Sequence, residues 1–264
     1  MNTEDQKNVS SRVMRRRRRE RLRSLPLRNL IPNVLTILSV CAGLTALRFG
    51  FEGQFKLAVA MVLMAGLFDA LDGRVARLLK SATRFGAELD SLADFFNFGV
   101  VPILLIYLWA LQTAPDAGWM VVLGYSICCA LRLARFNVAQ DDDIEQPWAT
   151  DYFIGVPAPA AATLVMMPFY LGFLGWEGVV YWPILTVLYT GLISFLMVSR
   201  IPTFSGKRLV RRVRLDMALL TLVLIGLLAA AFISYPWLTL ALICTGYLAL
   251  LPVSYKRYQR LNSQ

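Results

Sequence analysis

The stretch DALDGRVARLLKSATRFGAELDSLAD, residues 69–94, holds four aspartates, Asp69, Asp72, Asp90 and Asp94. The apolar run AVAMVLMAGLF leads into it and FFNFGVVPILLIYLWAL leads out of it. Runs of this kind approach the ~20 apolar residues that carry a helix across a bilayer. The four carboxylates therefore sit at the adjoining ends of two helices. Asp69 and Asp72 are three apart and Asp90 and Asp94 are four apart, so each pair shares one helical face. Gly86 continues the second stripe one turn earlier. A tight turn makes the two helices antiparallel neighbours, and their acidic faces meet in one pocket.

The remainder of the chain fits this frame. It has 264 residues, of which 57% are hydrophobic, and its mean hydropathy is +0.56. The pattern predicts an all-α polytopic membrane bundle. Its eight spans lie roughly at 30–49, 55–79, 86–111, 119–138, 157–174, 179–198, 217–233 and 237–255. A count of six or seven stays open, because the fifth and seventh runs are the shortest. A cleavable signal peptide is not expected, since the first apolar run is already a full span. If the N-terminus is cytoplasmic, 25 of the 27 Lys and Arg residues fall on that side, and only Arg48 and Lys56 fall on the other. This is the positive-inside asymmetry, and it places both termini in the cytoplasm. The run Arg15–Arg19 invites a nucleic-acid reading. A basic segment just before a span is better read as lying on anionic lipid, and RVMRRRRRERLRSL as an interfacial helix, so no nucleic-acid partner is expected.

Cys41, Cys128, Cys129 and Cys244 all stand in apolar runs without metal-ligand spacing, and histidine is absent. Four clustered carboxylates repel one another unless a cation lies between them. An all-oxygen set of this kind suits a hard divalent ion, Mg²⁺ or Mn²⁺, and four Asp on two helices can hold two ions. Gly73, Ala76 and Gly86 border the acidic faces and leave room for a flat group. Arg77, one turn beyond Gly73, can answer a phosphate. The plainer alternative pairs the aspartates with Arg74, Arg77 and Arg84. A second rival is a cation transporter, against which the carboxylates gather at one end of the helices and not at midplane.

The pattern D-x2-D-G-x2-A-R-x8-G-x3-D-x3-D, from Asp69 through Gly73, Ala76, Arg77 and Gly86 to Asp94, resembles the signature of the CDP-alcohol phosphotransferase family at every fixed position. The resemblance implies a metal-dependent enzyme that takes a CDP-linked lipid. An alcohol attacks the phosphorus on the lipid side, and CMP leaves. It implies that Asp69, Asp72 and Asp90 ligate the metals, and that Asp94 also touches metal and is the base for the alcohol. It further implies that Gly73, Ala76, Arg77 and Gly86 border the CDP site.

Three more stretches resemble the phosphatidylserine synthase branch: IPNVLTILSVCAGLTA (31–46), RLARFNV (132–138) and FIGVPAPAAA (153–162). Ser39 stands where that branch often has Asn, and Asn97 where it often has Ser. The implied substrates are CDP-diacylglycerol and L-serine. Choline, glycerol phosphate and inositol phosphate stay open as other acceptors. Pro32 and Asn33 open the first helix, where free N–H groups can meet phosphate, although a helix start without a ligand reads equally well. Thr83 can bond the nucleotide or cap the third helix. Arg132 and Arg135 share a face and are candidates for holding the serine carboxylate, or are flanking charges only. DDDIEQ (141–146) reads as a solvated loop. The chain divides into a basic segment (1–28), a six-helix core (29–200) and two further helices with a basic tail (201–264). The resemblance also implies a bacterial inner membrane, an active site at its cytoplasmic face and, by analogy, a homodimer.

Overall fold

The computed structural model describes residues 30–81, 83–141, 152–176, 182–199, 202–204 and 215–262. The basic N-terminal segment, most of DDDIEQ and the stretch SGKRLVRRVR lie outside the described residues. Helices α1 (Leu30–Phe51) and α2 (Phe55–Leu78) form an antiparallel hairpin. α3 (Arg84–Leu111) follows, then α4 (Pro115–Asp141). Strand β1 (Tyr152–Ile154) leads into α5 (Ala158–Phe173), and α6 (Pro183–Val198) leads out to β2 (Pro202–Phe204). The strands pair antiparallel, with Phe153 opposite Thr203. α7 (Leu215–Ser234) and α8 (Pro236–Asn262) complete the order.

α1, α3 and the Pro115–Val138 part of α4 are long and apolar enough to cross a membrane. α5, α6, Leu220–Ser234 and Pro236–Pro252 are shorter apolar helices. α2 matches α1 in length, but its last ten residues carry Asp69, Asp72, Arg74 and Arg77. Large apolar side chains point outward throughout, among them Leu44, Leu188, Leu222 and Ile233. A surface of this kind calls for lipid or a partner, not water. From Leu220 on, α7 presents mostly such residues, and among the described residues it packs only on α8 beyond incidental contacts.

Small residues let the first three helices approach closely. Ser39, Ala42, Gly43, Ala46 and Gly50 form the buried stripe of α1, and Ala58, Val62 and Ala65 face it from α2. A Cβ at Gly43 would collide with Asn97 Oδ1, and one at Gly50 with Leu105. α3 is not a uniform α-helix. It widens into π-helical turns at Phe95–Val100 and Tyr107–Leu111. Widening disturbs the backbone ladder, and α4 takes up two of the affected carbonyls. Tyr125 Oη donates to Phe98 O at 3.0 Å, and Ser126 Oγ donates to Gly99 O at 2.9 Å. α5, expected as one unbroken span, is interrupted at Met166, because Pro168 has no N–H to continue the ladder. At the opposite end from the aspartates, Trp109, Phe169 and Phe173 stack in sequence and Trp237 meets Phe173 edge-on, with Lys56 Nζ 5.8 Å from the Phe173 ring centre.

Candidate active site

The turn between α2 and α3 sets the geometry of the acidic pocket. Lys80 takes φ +48°, the left-handed conformation that closes a helix. Lys80 N–H donates to Arg77 O at 3.3 Å and Ser81 N–H to Ala76 O at 3.0 Å, which completes a Schellman motif. Two residues later Thr83 caps α3, its Oγ1 accepting from Gly86 N at 3.0 Å. The helices are thereby turned back on each other, and the two acidic faces meet. Carboxylate oxygens of Asp69, Asp72 and Asp90 all lie within 4.8 Å of one another. Asp94 falls outside that trio, one turn further along α3. Its carboxyl is close enough to that of Asp69 for the two to interact, and its Oδ1 is buried with no hydrogen-bond partner among the described residues.

Among the described residues the ion pair present is Arg48 with Glu52, at the far end of α1. Arg74, Arg77 and Arg84 do not pair with the aspartates, so the plainer reading of the cluster does not account for it. Three converging carboxylates and an orphaned fourth oxygen fit a bound cation, because all four are hard oxygen donors held without a counter-charge.

α1 supplies what the spacing of the aspartates could not reveal. Thr36, 2% exposed, donates its Oγ1 proton to Asp72 Oδ2 at 2.6 Å, and Pro32 O lies 3.1 Å away. The charged acceptor is the nearer, so this bond dominates and holds one Asp72 oxygen in a fixed direction. Asp72, whose carboxylate Thr36 orients, is the least exposed of the four aspartate residues, at 4% exposure.

Beside the trio opens a cavity of about 340 Å³. Asn33, Gly73, Ala76, Arg77, Thr83 and Gly86, the six residues expected around CDP, all line it together with Asp72 and Asp90. Gly73 leaves open space where a Cβ would be, and a Cβ at Gly86 would stand 2.9 Å from Asn33 Oδ1. Pro32, read with Asn33 as the phosphate-facing start of α1, lines the cavity too, as do Thr36, Ser81 and Ala87, for which the sequence carried no signal.

Ser39 and Asn97, two separate departures from the branch pattern, are one contact. Asn97 Nδ2 donates to Ser39 Oγ at 2.7 Å, and Ser39 Oγ donates to Ala65 O at 2.7 Å. The bridge ties α1, α2 and α3 together one turn below Thr36 and Asp94. The small and the large polar residue have changed places across one interface. Ser39→Asn alone overpacks a site at 0% exposure, at a cost of about 1–3 kcal/mol. Asn97→Ser alone removes a buried hydrogen bond, at a similar cost of about 1–3 kcal/mol. The double exchange is expected to recover at least half of the combined loss in a thermal unfolding series in detergent. A double variant that falls by the full sum would show the positions uncoupled.

Arg132 and Arg135 do not line the cavity. Arg132 Nη1 donates to Met197 O at 3.3 Å and Arg135 Nη1 to Val198 O at 3.1 Å, at the C-terminal end of α6. They nevertheless stand near the depth of Asp94. A Cβ at Gly99 would touch Cys129, and Asn137 Nδ2 donates to Ser91 Oγ at 3.0 Å, so residues 132 to 135 of α4 run beside Asp94.

The family model for CDP-alcohol phosphatidyltransferase matches residues 29–204. A second, CDP-alcohol phosphatidyltransferase 2, matches residues 216–252. The chain is similar to a Mycobacterium bovis protein named CDP-diacylglycerol–serine O-phosphatidyltransferase, 41% identical over 239 residues, or 89% of this chain and 81% of that relative. A Bacillus subtilis protein of the same name is 37% identical over 174 residues, 66% of this chain and 89% of the relative. A Saccharomyces cerevisiae protein of that name is 37% identical over 151 residues, covering 53% and 54%.

Proposed function

Since the chain belongs to the CDP-alcohol phosphatidyltransferase family, we propose that its acidic pocket transfers a phosphatidyl group from CDP-diacylglycerol to the hydroxyl of L-serine, giving phosphatidylserine and CMP. The observation that carries this reading is the joining of the carboxylate trio to a cavity lined by all six expected CDP residues. Serine as the acceptor draws its support from the names of the relatives.

Asp69, Asp72, Asp90 and Asp94 would hold divalent metal, Mg²⁺ or Mn²⁺, as two ions. Bound there, the metal neutralises the diphosphate and favours charge build-up at the attacked phosphorus. Thr36 keeps Asp72 aimed. Gly73, Ala76 and Gly86 leave the slot for the cytosine, and Arg77 meets a phosphate. Asp94 takes the proton of the serine hydroxyl as its oxygen bonds to the lipid-side phosphorus. The bond from that phosphorus to the bridging oxygen breaks, and the electron pair leaves with CMP. The acyl chains stay in the bilayer. Eight spans, a cytoplasmic site, cytoplasmic termini in a bacterial inner membrane and a homodimer complete the reading. The charge asymmetry supports the orientation. The 29–200 core is the catalytic unit, and 201–264 adds two helices.

The test is release of CMP from CDP-diacylglycerol by membranes containing the protein. Release should require L-serine and stop on chelation of divalent metal. Release driven equally by glycerol phosphate, inositol phosphate or choline would displace serine as acceptor, and metal-independent release would remove the assigned pocket.

The serine carboxylate needs a cation that is not already committed to the diphosphate. Arg135 donates to α6 through one nitrogen and Arg132 through at least one, and a guanidinium has five N–H donors. One of the two holds the carboxylate through a fork. Arg→Lys at that residue should raise KM for serine about tenfold and leave KM for CDP-diacylglycerol nearly unchanged. If neither Lys variant changes serine dependence, both arginines serve only to close α6.

A further inference from the structure

We propose that the Ser81 hydroxyl is a contact for the nucleoside half of the CDP-linked lipid, a proposal that rests on the reading of the cavity as the CDP site. Ser81 lines that cavity beside Ala76 and Thr83. Its side chain is 5% exposed, and its Oγ has no hydrogen-bond partner among the described residues. Buried hydroxyls in folded proteins are almost always satisfied, and one left open beside a cavity calls for a ligand. Ser81 cannot easily turn away. Its amide is held by Ala76 O, and Lys80 before it is locked in the left-handed conformation. The neighbouring hydroxyl of Thr83 accepts from Gly86 N, so Ser81 is the one left without a partner.

Position along α2 decides which part of the ligand it meets. Ser81 lies just past the end of the helix that carries Asp72. At about 1.5 Å of rise per residue, the end of α2 is roughly 10 Å from Asp72. A diphosphate gathered at the carboxylate trio is too short to reach that far. What reaches Ser81 is the base or the ribose. Both offer donors and acceptors, and a hydroxyl can serve either.

The experiment uses the purified full-length protein in detergent with Mg²⁺, with CDP and inorganic pyrophosphate as probes. Ser81→Ala should weaken CDP binding about five- to tenfold. Pyrophosphate binding should stay as in the wild type. Without ligand, the melting temperature of Ser81→Ala should equal or exceed that of the wild type, because an unsatisfied buried group has been removed. Ser81→Cys keeps the shape of the side chain at a slightly larger size and loses the strong hydroxyl, so it should weaken CDP binding in the same direction. Unchanged CDP affinity in Ser81→Ala overturns the proposal while leaving the CDP site standing. So does wild-type affinity in Ser81→Cys, which would show that size and not the hydroxyl matters. Equal loss for CDP and pyrophosphate, or a lower melting temperature without ligand, assigns Ser81 a structural role. A wild-type protein that binds pyrophosphate but no CDP overturns the cavity reading, and this proposal with it.

Discussion

Asp72→Ala should lower phosphatidyl transfer by more than ~10²-fold, with the protein still folded and inserted. Asp72 is the least exposed of the four aspartate residues, and Thr36 fixes one of its oxygens at 2.6 Å. Its oxygens also belong to the trio that converges within 4.8 Å. Removing it therefore takes away both a ligand and the charge that the other two oppose. The remaining carboxylates hold divalent metal less well, so raised Mg²⁺ should recover only part of the rate. Asp69→Ala and Asp90→Ala should behave alike, because each removes one member of the same set. Rates measured across a Mg²⁺ titration decide the point. Near-normal turnover in any of the three would break the assignment of a shared metal site.

Asp94→Asn is expected to lose ~10²–10⁴-fold in turnover while retaining most of its affinity for CDP-diacylglycerol. The amide has the size of the carboxyl but cannot take the hydroxyl proton. Asp94 stands outside the trio, one turn past Asp90 on the same face of α3 but beyond the cavity lining, and one of its oxygens has no partner among the described residues. A carboxylate just beyond the nucleotide cavity suits a group that meets the acceptor. Equilibrium binding of CDP-diacylglycerol beside single-turnover rates separates the two roles. If binding and rate decline in parallel, Asp94 is mainly a metal ligand and another group takes the proton.

The acidic pocket was legible because helical periodicity is local. Spacings of three and four among Asp69, Asp72, Asp90 and Asp94 specify faces without reference to the rest of the chain. The small residues Gly73, Ala76 and Gly86 follow the same periodicity, and all three line the cavity. Thr36 was not legible. It precedes Asp72 by 36 residues, and only the packing register of α1 on α2 brings its hydroxyl to the carboxylate. Ser39 and Asn97 looked like independent departures for the same reason, since 58 residues separate them. The π-helical turns of α3 left no mark in FFNFGV, whose apolar residues suit an ordinary helix equally well. Ser81 sits in KSAT, where a serine most often signals a turn. Its meaning came from burial, which is a property of the assembled fold.

The composition of α2 has a consequence for how the protein reaches its membrane. α2 is as long as α1, but Asp69, Asp72, Arg74 and Arg77 fall in its last ten residues. Each acidic side chain opposes partition into the bilayer by up to about 3 kcal/mol at mid-span, and by less near the end. Left to its own hydropathy, this helix is a poor substrate for the insertion machinery. α1 leaves the ribosome immediately before it, is apolar along its length, and offers the Ser39–Gly50 stripe and the Thr36 hydroxyl as a receiving surface. Topogenesis of the catalytic helix is thus delegated to the preceding helix: α1 and α2 must enter as a pair, and the residues that aim the carboxylates also escort them into lipid.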